Sequence, residues 1–359
     1  MKLPIKTILK KALDAQKNIF SNSRTDLSYV VESKDWAVSY VGKKIVEGLK
    51  KAKFANTRTT TTALGIRGQI IHFGSLHTLA TEKSFKKINS SNRIVLTWFH
   101  FVDQDKSNKH VFSHQERLKF IHTSCHITKK KILDFGIEPS KVVTIPLGVD
   151  LSLFYPADLD IKREAKNILG IPKDSLVIGS FQKDGVGWGE GTEPKLIKGP
   201  DIFVKAVREL AKNYPVFVLL VGPSRGYVKK ELEKNNIAYK SIGYLENFNE
   251  VANLYKALDL YLVTSRIEGG PQAILESMAS GVPLVSTKVG MAPDVIIDGE
   301  NGFLTQVEDV EEIVKKARMV LDNQNLREKI ATNALATVKD YSWENISQRY
   351  LNEIYLKLI

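Results

Sequence analysis

The chain has 359 residues, 43% of them apolar and 26% charged, a soluble composition long enough for two ordinary domains. Its one cysteine, Cys125, excludes an internal disulfide and suggests a reducing compartment. The net charge of +12 is uneven: residues 1–150 hold 26 Lys and Arg against 12 Asp and Glu, a net of +14, whereas residues 151–359 hold 26 against 28, a net of −2.

The N-terminus, MKLPIKTILKKALDAQ, lacks a signal-peptide apolar core, and no apolar run is long enough to span a bilayer. Lys10, Lys11 and Lys17, with Leu9, Leu13 and Ile19 between them, form a basic amphipathic helix near the start. Further clusters fall at Lys50, Lys51 and Lys53 and at Lys129 to Lys131, which suggests an anionic surface or acceptor for this half.

Strands are expected at 28–32, 69–73, 94–97, 119–123 and 141–145, with helices at 38–50 and 127–135. This half reads as the smaller α/β layer. In IHTSCHIT, His122, Cys125 and His126 fit a strand entering a helix, and no fourth metal ligand is evident. The stretch IPLGVDLSLFYP, residues 145–156, is punctuated like a hinge.

The second half alternates more clearly. Strands read at 176–180, 216–221, 239–242, 258–263 and 283–286, and helices at 201–213, 227–235, 249–257, 271–280 and 310–322. That order implies a doubly wound parallel sheet, with ligands bound beyond the carboxyl ends of its strands. The glycine-rich DGVGWGEGTEPKLIKG reads either as a mobile surface loop or as a lid.

The stretch SRIEGGPQAILESMASG follows an apolar strand. It reads as a glycine turn, a helix opened by Pro271 and a stop at Gly281. Free N–H groups at such a turn favour an anion, and Glu268 and Glu276 can accept hydrogen bonds from hydroxyls. A phosphate flanked by hydroxyl-rich rings, as in a nucleotide-sugar, accounts for both. Alternatively, Glu268 favours the helix dipole and Glu276 is a solvated helix residue.

In order, SRIEGGPQAILESMASGVPLVSTKVGMAPDVIIDGENGFL resembles the donor-site signature of family 4 glycosyltransferases of the GT-B fold. Their pattern is E-x7-E, a small-residue-G-x-P run, a strand, a V-G turn and D-G-x-x-G-x-L. IPLGVD…FYP resembles the family's interdomain segment, IKGPDIFVKAV its K-G helix start, and YSWENISQRY its closing helix. The resemblance covers about residues 90–359. It implies two Rossmann-like domains facing each other across a cleft. Residues 1–150 would bind acceptor, residues 151–340 would bind donor, and residues 341–359 would form a helix packing back on the first domain.

The resemblance also implies roles. Glu276 would hold the ribose hydroxyls, and Glu268 would contact the transferred sugar near its reacting carbon. Gly269, Gly270, Pro271, Gln272 and Ala273 would approach the sugar and distal phosphate, and Lys198 would neutralise the diphosphate. Lys183 stands where the family usually carries arginine, so a planar fork is replaced by a point charge. His100, three residues after Thr97, would face the sugar, with a core histidine as the plainer alternative. The family's N-terminal Gly-Gly loop is replaced here by Ser33-Lys34-Asp35-Trp36, where Asp35 caps a helix or Asp35 and Trp36 line the acceptor site.

The expected activity is retaining transfer of a sugar from a nucleoside-diphosphate-sugar to a hydroxyl acceptor. The expected setting is surface polysaccharide or lipid-linked glycan synthesis, by a cytoplasmic protein at the inner face of an anionic membrane. No cofactor, metal or nucleic acid is expected. A rival from another class is a non-catalytic GT-B-like protein that uses its basic half to bind a partner or polyanion.

Overall fold

The computed structural model describes residues 5–21, 25–33, 37–54, 56–82, 85, 88–102, 106–245 and 247–359. The chain divides into two compact units. The first comprises Met1–Gly148 and Trp343–Ile359, and the second Val149–Ser342.

Unit 1 runs α1 (Ile5–Ser21), β1 (Leu27–Val30), α2 (Ala37–Lys51), β2 (Thr57–Thr60), β3 (Ile70–Phe73), α3 (Leu76–Ala80), β4 (Arg93–Thr97), α4 (Lys106–Phe112), β5 (Leu118–Thr123), α5 (His126–Asp134) and β6 (Val142–Thr144). All pairings are parallel, in the order β2-β1-β3-β4-β5-β6. This sheet is therefore as wide as that of the other unit, not a smaller layer. The missing strand was β2, TRTT, an edge strand whose polar sequence has no apolar run to betray it.

Unit 2 runs α6 (Leu159–Ile168), β7 (Leu176–Phe181), α7 (Pro200–Ala211), β8 (Val216–Val221), α8 (Gly226–Lys234), β9 (Ala238–Ile242), α9 (Val251–Tyr255), β10 (Leu260–Val263), α10 (Ala273–Ala279), β11 (Leu284–Thr287), α11 (Ala292–Val295), β12 (Phe303–Thr305), α12 (Val310–Asp322) and α13 (Gln324–Val338). Its parallel order is β12-β11-β10-β7-β8-β9. Strand succession reverses between β7 and β10, so the loops leaving those two strands flank the crevice where doubly wound sheets take ligands.

The last helix, α14 (Trp343–Glu353), returns to unit 1 and lies against α2. Polar contacts in the unit 1 core fix it there. The Tyr355 hydroxyl is 2.6 Å from His72 Nδ1, and the Tyr350 hydroxyl is 2.9 Å from His122 Nε2. His72 Nε2 also meets Thr97 Oγ1 at 2.8 Å. Burial lowers both histidine pKa values, that of His122 to about 4, so both rings are neutral near pH 7.

Candidate donor site at the switch point of unit 2

The loop after β7 and the turn after β10 are locked together by backbone. Arg266 N and Ile267 N donate to Ile197 O at 2.9 and 3.1 Å, and Thr264 Oγ1 donates to Gly199 O at 2.9 Å. Gly199 has φ +62°, and a Cβ there would lie 1.8 Å from Thr264 O. Only glycine allows both the left-handed backbone and that approach. On the other side, a Cβ on Gly290 would lie 2.3 Å from Gly269 O, so the V-G turn braces the Gly269 backbone.

This frame brings Lys198 and Glu268 together. Lys198 Nζ donates to Glu268 Oε1 at 2.6 Å, and Ser265 Oγ donates to the same oxygen at 2.9 Å. Both members of the ion pair are mostly buried. Arg266 beside them is occupied in scaffolding. It pairs with Asp201 through two 2.8 Å bonds and with Glu308.

Glu276 is not a solvated helix residue: it is 3% exposed. Its Oε2 accepts from the Tyr255 hydroxyl at 2.9 Å, while its Oε1 is buried without a partner among the described residues. Tyr255 stacks on Tyr261, ring centroids 5.5 Å apart, and Phe181 meets both edge-on. In this apolar setting burial pushes the Glu276 carboxyl up to about 7. One turn earlier, Gln272 Nε2 is also buried without a partner. The start of this helix thus holds one unfilled acceptor and one unfilled donor among the described residues.

The helix itself starts later than expected. Pro271 precedes it, Gln272 is the N-cap, and α10 begins at Ala273. Two turns align few peptide dipoles, so an anion here depends mainly on side-chain charge. Lys183 and Lys198 are the cations that the sequence named for that role. Sequence reading missed a third cation, Lys195, three residues before Lys198. Its pKa is lowered first by burial and then by repulsion from Lys198 and Lys183. The i, i+3 spacing in KLIK was the available signal.

The glycine-rich loop is a hairpin tied by backbone hydrogen bonds to the start of α8. Val186 N donates to Glu193 O, and Gly185 bridges Pro194. Gly226 N and Tyr227 N, at the start of α8, donate to Glu190 O and Gly191 O at 2.7 and 2.8 Å. Beneath it Asp184 Oδ1 lies 3.0 Å from Arg225 Nε, both side chains buried, and Arg225 Nη1 also donates to the carbonyls of Ser180, Gln182 and Val221. Lys183 Nζ sits 5.0 Å above the Trp188 ring and donates to Gly185 O. An arginine is thus present at the end of β7, but it comes from α8's edge and is spent on backbone.

In unit 1, His100 follows β4 and is exposed, which removes the core-histidine alternative. Asp35 and Trp36 lie outside the described residues. His122 is hydrogen bonded in the core, and Cys125 caps α5, its sulfur accepting from Thr128 N.

Residues 194–337 match the family model of glycosyl transferases group 1. The match takes in less than half of the chain and shows a likeness of this region to the group 1 enzymes. The chain is 30% identical over 149 residues to an uncharacterized glycosyltransferase of Methanocaldococcus jannaschii, covering 41% of either chain. It is 25% identical over 295 residues, 77% of this chain and 69% of the other, to the UDP-Gal:alpha-D-GlcNAc-diphosphoundecaprenol alpha-1,3-galactosyltransferase of Escherichia coli. The chain spans about half the length of most curated relatives it matches. Among solved structures, Anabaena HepE in complex with UDP and glucose aligns with a TM-score of 0.73 at 18% identity, covering 93% of this chain and 100% of that one. That likeness shows the fold: two six-stranded parallel α/β units of the GT-B glycosyltransferase kind.

Proposed function

We propose that the chain is a retaining glycosyltransferase that moves a sugar from a nucleoside-diphosphate-sugar to a hydroxyl acceptor. The observation that carries this reading is the buried, unpartnered Oε1 of Glu276 within the region similar to the group 1 enzymes, beside the Lys198–Glu268 pair. A ribose hydroxyl satisfies Glu276, and the Gln272 amide donates to the same ligand.

Chemically, the leaving group is a nucleoside diphosphate, on which charge grows as the glycosidic bond breaks. Lys198, with Lys183 and Lys195 near it, supplies fixed positive charge there, and such preorganised charge lowers the barrier. No metal is needed for that task. Glu268, held by Lys198 and Ser265, accepts from a hydroxyl of the transferred sugar. The two glutamates do not act as a glycosidase pair, because one of them holds ribose. Retention is assigned through front-side attack, with the departing diphosphate helping to take the acceptor proton. UDP is the first nucleotide to test, since HepE was solved with it and the Escherichia coli relative is named for UDP-Gal. That name also supports a lipid-linked or surface-glycan acceptor.

A thermal-shift series with UDP, GDP, ADP and TDP tests the reading, followed by hydrolysis and transfer assays. A nucleotide at a hundredfold excess over Kd should raise stability by about 2.7 kcal/mol. Stabilisation without turnover of any sugar donor would favour the non-catalytic binding protein, and no stabilisation by any nucleotide would remove the donor site.

We also assign His100 a part in turnover. His100→Ala is expected to lower kcat about tenfold, one lost transition-state hydrogen bond, with nucleotide affinity unchanged. Retained kcat in a folded variant would take His100 out of the reaction.

A further inference from the structure

The helix α1 docks on unit 1 by its polar face. Lys11 Nζ donates to Thr81 Oγ1 at 2.9 Å. Asp14 Oδ2 accepts from Thr61 N at 3.0 Å and from Thr61 Oγ1 at 2.7 Å. Asn18, fully buried, donates to Thr62 O and Leu64 O at 3.0 and 2.8 Å, and Arg58 donates to Ser21 Oγ at 2.6 Å. These positions are three or four apart and form one stripe.

The other face therefore points away. Ile8, Leu9, Leu13, Ile19 and Phe20 are each more than half exposed. A soluble amphipathic helix normally buries such a stripe. On a helical wheel Lys6 and Lys17 follow Leu13 along one margin of this apolar face, both exposed, and Lys10 beyond them donates to Ser33 O at 3.2 Å. No helix among the described residues is long and apolar enough to cross a membrane. An outward apolar face edged by lysines has the chemistry of a helix lying in the bilayer interface.

We propose that α1 is a membrane-docking element, its apolar side chains seated among acyl chains and its lysines on anionic headgroups. The occupant is a lipid surface rather than a second copy because of charge. Two copies meeting antiparallel through this face would set their Lys6 and Lys17 rows together, and in any arrangement +14 on each N-terminal half repels, whereas an anionic bilayer complements that charge. The inference is independent of the donor reading, since lipid binding is measured without nucleotide.

The full chain is co-sedimented with vesicles of phosphatidylcholine alone and with vesicles that also contain phosphatidylglycerol. Binding is expected to the anionic vesicles only, and to fall as salt rises. The triple variant Leu9→Glu/Leu13→Glu/Phe20→Glu is expected to lose at least ~100-fold in partition, as each buried side chain is worth roughly tenfold or more. Lys6→Gln/Lys17→Gln is expected to lose about 25-fold at low salt, roughly fivefold for each lysine. All five positions are exposed, so the circular dichroism and melting of these variants should match the parent. Equal binding of parent and triple variant, or no preference for anionic lipid, overturns the proposal. So does a dimer in sedimentation velocity that the triple substitution dissolves while vesicles bind neither protein.

Discussion

Glu276→Gln is expected to weaken nucleoside-diphosphate binding by roughly 10- to 100-fold, the worth of one charge-assisted hydrogen bond, and to stabilise the ligand-free protein above pH 7. The two effects have one cause. The carboxyl is buried on the aromatic bed of Tyr255, Tyr261 and Phe181 and keeps its proton up to about pH 7, against an ordinary value of 4.5. Between those values the folded chain holds a proton that the unfolded chain has released. Stability therefore falls as pH rises through this window, by roughly 3 kcal/mol at its upper end. Glutamine keeps an acceptor for the Tyr255 hydroxyl and has no charge to desolvate. The variant's melting temperature should exceed the parent's at pH 8 and approach it near pH 4.5.

Ribose hydroxyls are donors and favour the carboxylate over the acid. Binding near pH 6.5 should release a proton, and parental affinity should rise with pH until about 7. Titration calorimetry in buffers of different ionisation enthalpy reads the proton directly. Unchanged affinity in a folded Glu276→Gln protein would remove the residue from the site.

The contrast between Glu276 and the rest of its neighbourhood shows what the sequence could convey. Strand β8, VFVLLV, lies buried on both faces and its apolar run reveals it. The edge strands β2, TRTT, and β12, FLT, carry no such signal because they are polar or only three residues long. The turn and helix that carry Glu268 and Glu276 were legible since their signals are local. The anchoring of the glycine-rich hairpin was not, because Asp184 and Arg225 come from different elements and meet only in the fold. The same limit applies to α1. Its amphipathic pattern is plain in the sequence, but hydropathy does not say which face turns inward. Thr61, Thr62 and Leu64 decide that by offering polar partners to Asp14 and Asn18.

Lys198→Met should lower kcat by roughly 10²–10³-fold, as expected when a fixed charge facing a developing anion is lost. The same change takes from the mostly buried Glu268 carboxylate the cation that lies 2.6 Å from it. Breaking such a pair costs about 3–5 kcal/mol, so the single variant will also melt earlier, and a fall in rate alone does not separate chemistry from scaffolding. The double variant Lys198→Met/Glu268→Gln separates them. It removes the carboxylate's charge as well, and most of the lost stability should return. Affinity for the nucleoside diphosphate should remain reduced in the double variant, because the phosphate partner is still missing, while affinity for the nucleoside alone should match the parent in both variants. Recovery of diphosphate affinity together with stability would mean that Lys198 serves only to hold Glu268. The positive charge for the leaving group would then have to come from Lys183 and Lys195.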